Sequence, residues 1–284
     1  MLNGDYSVPL ALLSDSMDHD NVLYFQSNCE RYIKEVKRNS TATYEPELFL
    51  SLHLSEIASR ISEKTGIPTD ALTTDVISIM WGACQSDVDV FDDTSMWCSL
   101  FSAKDASLME YYDDLGAYYT KGYAYPINHK MASLLFQDVV KGLEESRDCV
   151  GSATDADLCV RSRLRFAHAE TLIPFLVGLG LYKDEKPLTA TWSESEREGR
   201  KWRFENMAPM LGSAVLLQYR CDENDDDDET FVELYHNEMV VEIPGCNSTD
   251  SKYGNVDPRL CPLSKFKELL KDYLTCDWNQ LCDL

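Results

Sequence analysis

The stretch Arg161-Ser162-Arg163-Leu164-Arg165-Phe166-Ala167-His168-Ala169-Glu170-Thr171-Leu172-Ile173-Pro174-Phe175 changes its period halfway along. Up to His168 the arginines at 161, 163 and 165 alternate with Leu164 and Phe166, the period of an extended chain whose side chains take opposite faces. Beyond Thr171 the apolar residues close up as in a buried helix running to Gly180. A strand that runs into a helix is the unit of α/β architecture, and side chains at the strand's carboxyl end occupy the usual position of its ligand sites. His168 and Glu170 fall there. Backbone N–H groups at a helix N-terminus favour an anion such as phosphate, and a carboxylic acid beside it can protonate a leaving oxygen. The plainer reading of His-Ala-Glu alone is a pair of residues that cap the helix. The arginine stripe has two readings as well: a surface for polyanions, or salt bridges to carboxylates elsewhere in the chain.

Downstream, residues 213–220, 231–235 and 239–243 read as strands, the last two joined by the turn His236-Asn237-Glu238. The acidic run 225–228 between two of them reads as a solvated hairpin tip without the spacing of a calcium loop, and residues 263–274 read as an amphipathic helix. Upstream, residues 22–147 read as successive helices. Leu48, Leu52, Ile57 and Ile61 lead to a stop at Gly66-Ile67-Pro68, and Leu72, Val76, Ile77 and Met80 resume after Thr69-Asp70. Further helices are expected at 105–119 and 128–144, with Tyr111, Tyr112, Tyr118 and Tyr119 as packing residues. The predicted fold is α/β: a mostly parallel sheet with 161–168 as a central strand, flanked by helices, with an inserted helical subdomain. The expected division is an irregular segment at 1–21, a mainly helical subdomain at 22–155, and the C-terminal part of an α/β core at 156–284.

The chain has 284 residues, 44% hydrophobic and 26% charged, a composition that folds into a globule. Its 49 acidic against 26 basic residues give a net charge of -23, which argues against nucleic acid as a partner and leaves room for a small phosphorylated substrate in a local positive pocket. No stretch reaches the ~18 apolar residues of a transmembrane segment, and no signal peptide is visible. The ten cysteines lack the clustering of a zinc site, so neither metal nor cofactor is expected. Their placement around loops fits an oxidising compartment. Cys276 with Cys282 and Cys246 with Cys261 are the expected disulfides, Cys84 and Cys98 are further candidates, and Asn39 and Asn247 head glycosylation sequons.

The residues 165–175 quoted above, followed by Gly180-Leu181-Tyr182-Lys183-Asp184 and Pro187-Leu188-Thr189-Ala190, resemble the multiple inositol polyphosphate phosphatases of the histidine acid phosphatase branch. The resemblance extends through Asn237-Glu238, Pro244-Gly245-Cys246, Tyr123-Ala124-Tyr125, Leu135-Phe136-Gln137-Asp138 and Trp97-Cys98 to the region of Cys29. It implies a phosphomonoesterase acting on inositol polyphosphates or 2,3-bisphosphoglycerate, in the secretory pathway, either secreted or in the endoplasmic reticulum lumen. By the same resemblance Glu170 is the proton donor, His168 a phosphate-binding residue and Thr171 a substrate contact. The nucleophile of that family is the histidine of an Arg-His-Gly motif. The histidines here are His19, His53, His129, His168 and His236, and none stands in that triplet. The alternative is therefore a secreted relative without catalysis, binding phosphorylated ligands or a protein partner.

Overall fold

The computed structural model describes residues 13–150, 160–220, 229–246, 257 and 259–284. The amino-terminal part is helical. Short helices α1 (Phe25–Asn28) and α2 (Glu30–Tyr32) lead through a π-turn to α3 (Tyr44–Thr65), α4 (Thr74–Phe91), α5 (Ala103–Lys121), α6 (Ile127–Lys130) and α7 (Ser133–Val150). Local chemistry sets these bounds. Phe49, Leu50, Ile57, Ala58 and Ile61 form the buried stripe of α3, which stops where Gly66 turns left-handed at φ 76°. The Thr73 hydroxyl caps α4 by accepting from Val76 N–H, so the cap lies just past the Thr69-Asp70 pair that the sequence favours. Ser102 and Asp105 close a capping box on α5, and buried Asp105 also takes two bonds from Arg60 at 2.8 and 2.5 Å. The tyrosines of α5 pack as expected: Tyr111 is fully buried and its hydroxyl donates to Thr189 O at 2.8 Å.

After α8 (Ala169–Gly178), α9 (Glu194–Glu198) and α10 (Phe204–Met207) comes a four-stranded sheet. Strands β1 (Ala214–Arg220) and β3 (Met239–Val241) both pair with β2 (Thr230–His236), which β4 (Cys261–Pro262) joins through Val232 and Phe231. Asn237 and Glu238, at φ 48° and 67°, make the two-residue turn that right-twisted hairpins favour. The chain ends in α11 (Leu263–Leu269), α12 (Lys271–Leu274) and α13 (Trp278–Cys282). One continuous cluster of buried apolar residues joins the helices, α8 and the sheet. Among the described residues, no helix is long and apolar enough to cross a membrane.

The fold is mixed helix and sheet as expected, with the pairing corrected. Among the described residues every strand pair is antiparallel, and residues 160–168 join no strand ladder. Alternation specifies an extended chain but not its neighbour. Here the arginines bind a helix instead of flanking strands: Arg163 pairs with Glu145, and Arg165 reaches Asp138 Oδ2 at 2.9 and 2.5 Å. Asp138, Gly142 and Glu145 share one face of α7, and Gly142 leaves the space that the Arg163 stem fills, since a Cβ there would sit 3.0 Å from Arg163 Cδ. The acidic run 225–228 and Asn247 lie outside the described residues.

Three disulfides are seen among the described residues: Cys29–Cys282, Cys84–Cys98 and Cys246–Cys261. The expected Cys276–Cys282 pair is corrected, and Cys276 carries a free thiol. The intervening helix α13 turns Cys282 inward to the α1–α2 junction, where Arg31 also donates to Asp283 O at 2.8 Å, whereas Cys276 is held in a different place by Gln137 Nε2 on its carbonyl.

Burial depresses the titration of His129, packed between Tyr123 and Tyr273, to about 4, with Lys130 and Lys183 adding to the effect. The unfolded chain thus binds a proton that the folded chain refuses, and stability present above pH 6.5 drains away as pH falls toward 4. Urea unfolding at pH 5 should show about 1–2 kcal/mol less stability than at pH 7 from this group. His129→Asn, whose amide can still meet the Tyr273 hydroxyl, should flatten that slope; an unchanged slope would contradict the assignment.

Candidate active site

Residues 160–167 deliver His168 to the first position before α8, where it adopts φ -116°, ψ 172° and its carbonyl accepts from Thr171 and Leu172 N–H at 2.9 and 3.0 Å. No side chain caps α8, which leaves the Ala169 and Glu170 N–H groups of its first turn without a capping partner beside the exposed imidazole. Ile173, Phe175, Leu176 and Val177 anchor the helix in the core, and Phe136 stacks on Phe175 at 5.0 Å. Its far end is held by the Tyr123 hydroxyl, which donates to Leu181 O at 2.7 Å. Pro174, having no N–H, cannot bond the Glu170 carbonyl within the helix.

Glu170, in the first turn, keeps 42% of its side chain exposed and faces Lys121 Nζ at 3.5 Å. Lys121 ends α5, and its ammonium also lies 5.4 Å from the centre of the Phe204 ring. That ring is set by the buried Asp114 carboxylate, which accepts from Phe204 N–H at 2.6 Å and from Arg200. On the other side of the pair stands Tyr24, edge-on to the His168 ring at 5.4 Å. Burial, with the Glu170 charge adding to it, pushes the Tyr32 hydroxyl up to about 12, and that hydroxyl donates to Thr120 O at 2.9 Å.

Of the residues singled out in the sequence, His168 and Glu170 stand together at one exposed helix end. Thr171 does not join them: it is 3% exposed and its hydroxyl donates to Leu23 O at 2.6 Å, which ties the amino-terminal segment to α8. It is dropped as a substrate contact. Two of the three arginines of the stripe are engaged by Asp138 and Glu145, as the salt-bridge reading has it. Leu164 and Phe166, on the other face, are 79% and 84% exposed. Asn39 folds its side-chain oxygen back onto Thr41 N–H and hydroxyl, both at 3.0 Å. The sequence reading missed Lys121, Tyr24 and Phe204, which the fold brings to Glu170 and His168 from remote positions; a lysine just before a glycine carries only the signal of a helix end. Among the described residues no three His, Cys, Asp or Glu side chains gather as a metal site.

Comparison with known proteins points the same way. Multiple inositol polyphosphate phosphatase 1 of Homo sapiens is 29% identical over 268 residues, covering 94% of this chain and 53% of the relative. The protein of the same name from Gallus gallus is 28% identical over 267 residues, covering 94% and 57%. The chain therefore spans little more than half the length of these curated relatives. The crystal structure of the phytase from D. castellii superimposes with a TM-score of 0.71 at 17% identity, over 94% of this chain and 52% of that one, a likeness of fold. Residues 2–237 match the histidine phosphatase superfamily (branch 2), and with most of its length inside that match the chain belongs to this family.

Proposed function

We propose that this chain carries the proton donor and part of the phosphate-binding wall of a phosphomonoesterase acting on inositol polyphosphates. The family, together with relatives named for that substrate, supports the reaction class. The observation that carries the reading is the exposed pair of His168 and Glu170 at the uncapped N-terminus of α8. A phosphoryl group lying against those N–H groups would take a charge-assisted bond from the His168 ring. Glu170 would then hand its proton to the departing inositol oxygen, which otherwise leaves as a strongly basic alkoxide. Phosphoryl transfer depends on positioning and charge neutralisation, and it also needs a nucleophile; these 284 residues hold no Arg-His-Gly to supply one. The disulfides fit a protein of the secretory pathway, where such bonds persist.

The test is binding, since it does not require the nucleophile. Calorimetric titration of inositol hexakisphosphate into the chain should give saturable binding. His168→Ala should weaken it about tenfold or more, the value of one bond to a charged group. Equal affinity for the two proteins would remove His168 from the phosphate site.

A further inference from the structure

We propose that Lys121 is a two-position cation: it pairs with Glu170 in the free protein and transfers to a phosphate oxygen of the bound polyanion, leaving the Glu170 carboxyl free to act as acid. This rests on the reading of His168 and Glu170 as the phosphate site. Three observations carry it. The Lys121–Glu170 contact at 3.5 Å is an ion pair longer than a good N–H···O hydrogen bond, and with side chains 20% and 42% exposed it is partly open to solvent. Such a pair is weak and easily exchanged for a multiply charged phosphate ester. The ammonium also has a neighbour that does not neutralise it, the Phe204 ring at 5.4 Å, so its place beside the site does not depend on the carboxylate alone.

The backbone that carries Lys121 is held on both sides. Tyr32 donates to Thr120 O at 2.9 Å, Gly122 N–H bonds Tyr118 O at 3.1 Å, and Gly122 lies so close to the Trp202 ring that a Cβ would come within 2.5 Å of it. The backbone on both sides of Lys121 is therefore pinned, and four rotatable side-chain bonds are left to carry the charge across a few ångströms. The exchange also has a chemical logic. A carboxyl that is to donate a proton must first hold one, and an adjoining ammonium opposes that. A phosphate that draws the ammonium away removes the opposition and adds its own negative charge beside the carboxyl. Substrate arrival and arming of the acid then become one event.

The test uses the 284-residue chain and inositol hexakisphosphate in a double-substitution cycle read by calorimetry, with thermal unfolding recorded for each variant. Lys121→Met should weaken binding about tenfold, and Lys121→Arg, which keeps the charge, should stay within about threefold of the parent. In the Glu170→Gln background, where no carboxylate competes for the ammonium, removing Lys121 should cost more affinity than it does in the parent. Parent affinity in Lys121→Met, or equal loss in the Met and Arg variants, would overturn the transfer while leaving the phosphate site standing. A non-additive term of zero would also overturn it, because the carboxylate and the phosphate would not be sharing the cation. Absence of binding by the parent chain would instead sink the phosphate site itself, and the inference with it.

Discussion

Glu170→Gln should lower phosphate release from inositol hexakisphosphate by about 10²–10⁴-fold in kcat, with KM not raised. The measurement requires the chain joined to a section that brings an Arg-His-Gly nucleophile, because a proton donor alone displaces nothing. Assayed by itself, the 284-residue chain should release negligible phosphate. The glutamine fills the same volume at the first turn of α8 and can still lie against Lys121, so the helix end and the binding surface persist. What it lacks is the proton for the leaving alkoxide. The loss should therefore appear in single-turnover rates and shrink for substrates whose leaving group is a good one, such as a nitrophenol, which departs without help. Full turnover by the Gln variant would show that the acid is another residue, and robust turnover by the unextended chain would show that these 284 residues already hold a nucleophile.

The second large effect concerns stability. Cys29 and Cys282 are 0% and 1% exposed and join positions 253 residues apart, so their bond ties the first helices to the last. Cys29→Ser with Cys282→Ser should lower the free energy of unfolding by about 2–5 kcal/mol, since the denatured chain regains the freedom that a long closed loop denies it. The Arg31 bond to Asp283 O cannot replace it. Cys276→Ser should change stability by less than about 0.5 kcal/mol, the ordinary size of a substitution away from such features. If Cys276→Ser were the damaging change, the pairing expected from the six-residue spacing would be the true one.

The helix stop and the hairpin were legible because each carries its own punctuation: a left-handed glycine at Gly66 and the Asn237-Glu238 turn after β2. These signals are local, and local chemistry decides them. The partners of an extended segment are not local. Residues 161–168 alternate in sequence, yet what Arg163 and Arg165 meet is the Asp138, Gly142 and Glu145 face of α7, which no period in the segment itself encodes. The same holds for Cys282, whose partner lies at the opposite end of the chain. At the site, His168 and Glu170 could be found because they stand within three residues of each other where the helix α8 begins. Lys121 and Tyr24 reach them only through the packing of α5 and the segment before α1 against α8.

The central claim is that the end of α8 receives a phosphate group, and the histidine rings offer the most direct reading of it. In a chain carrying labelled histidine, the ring resonances of His168 should move progressively as inositol hexakisphosphate is added. Those of buried His236, bonded to Tyr182 and Met207 O, and of His129, bonded to Tyr273, should stay in place. Saturation with His168 displaced and these two still is the result the account predicts; His168 unmoved at saturating ligand would contradict it.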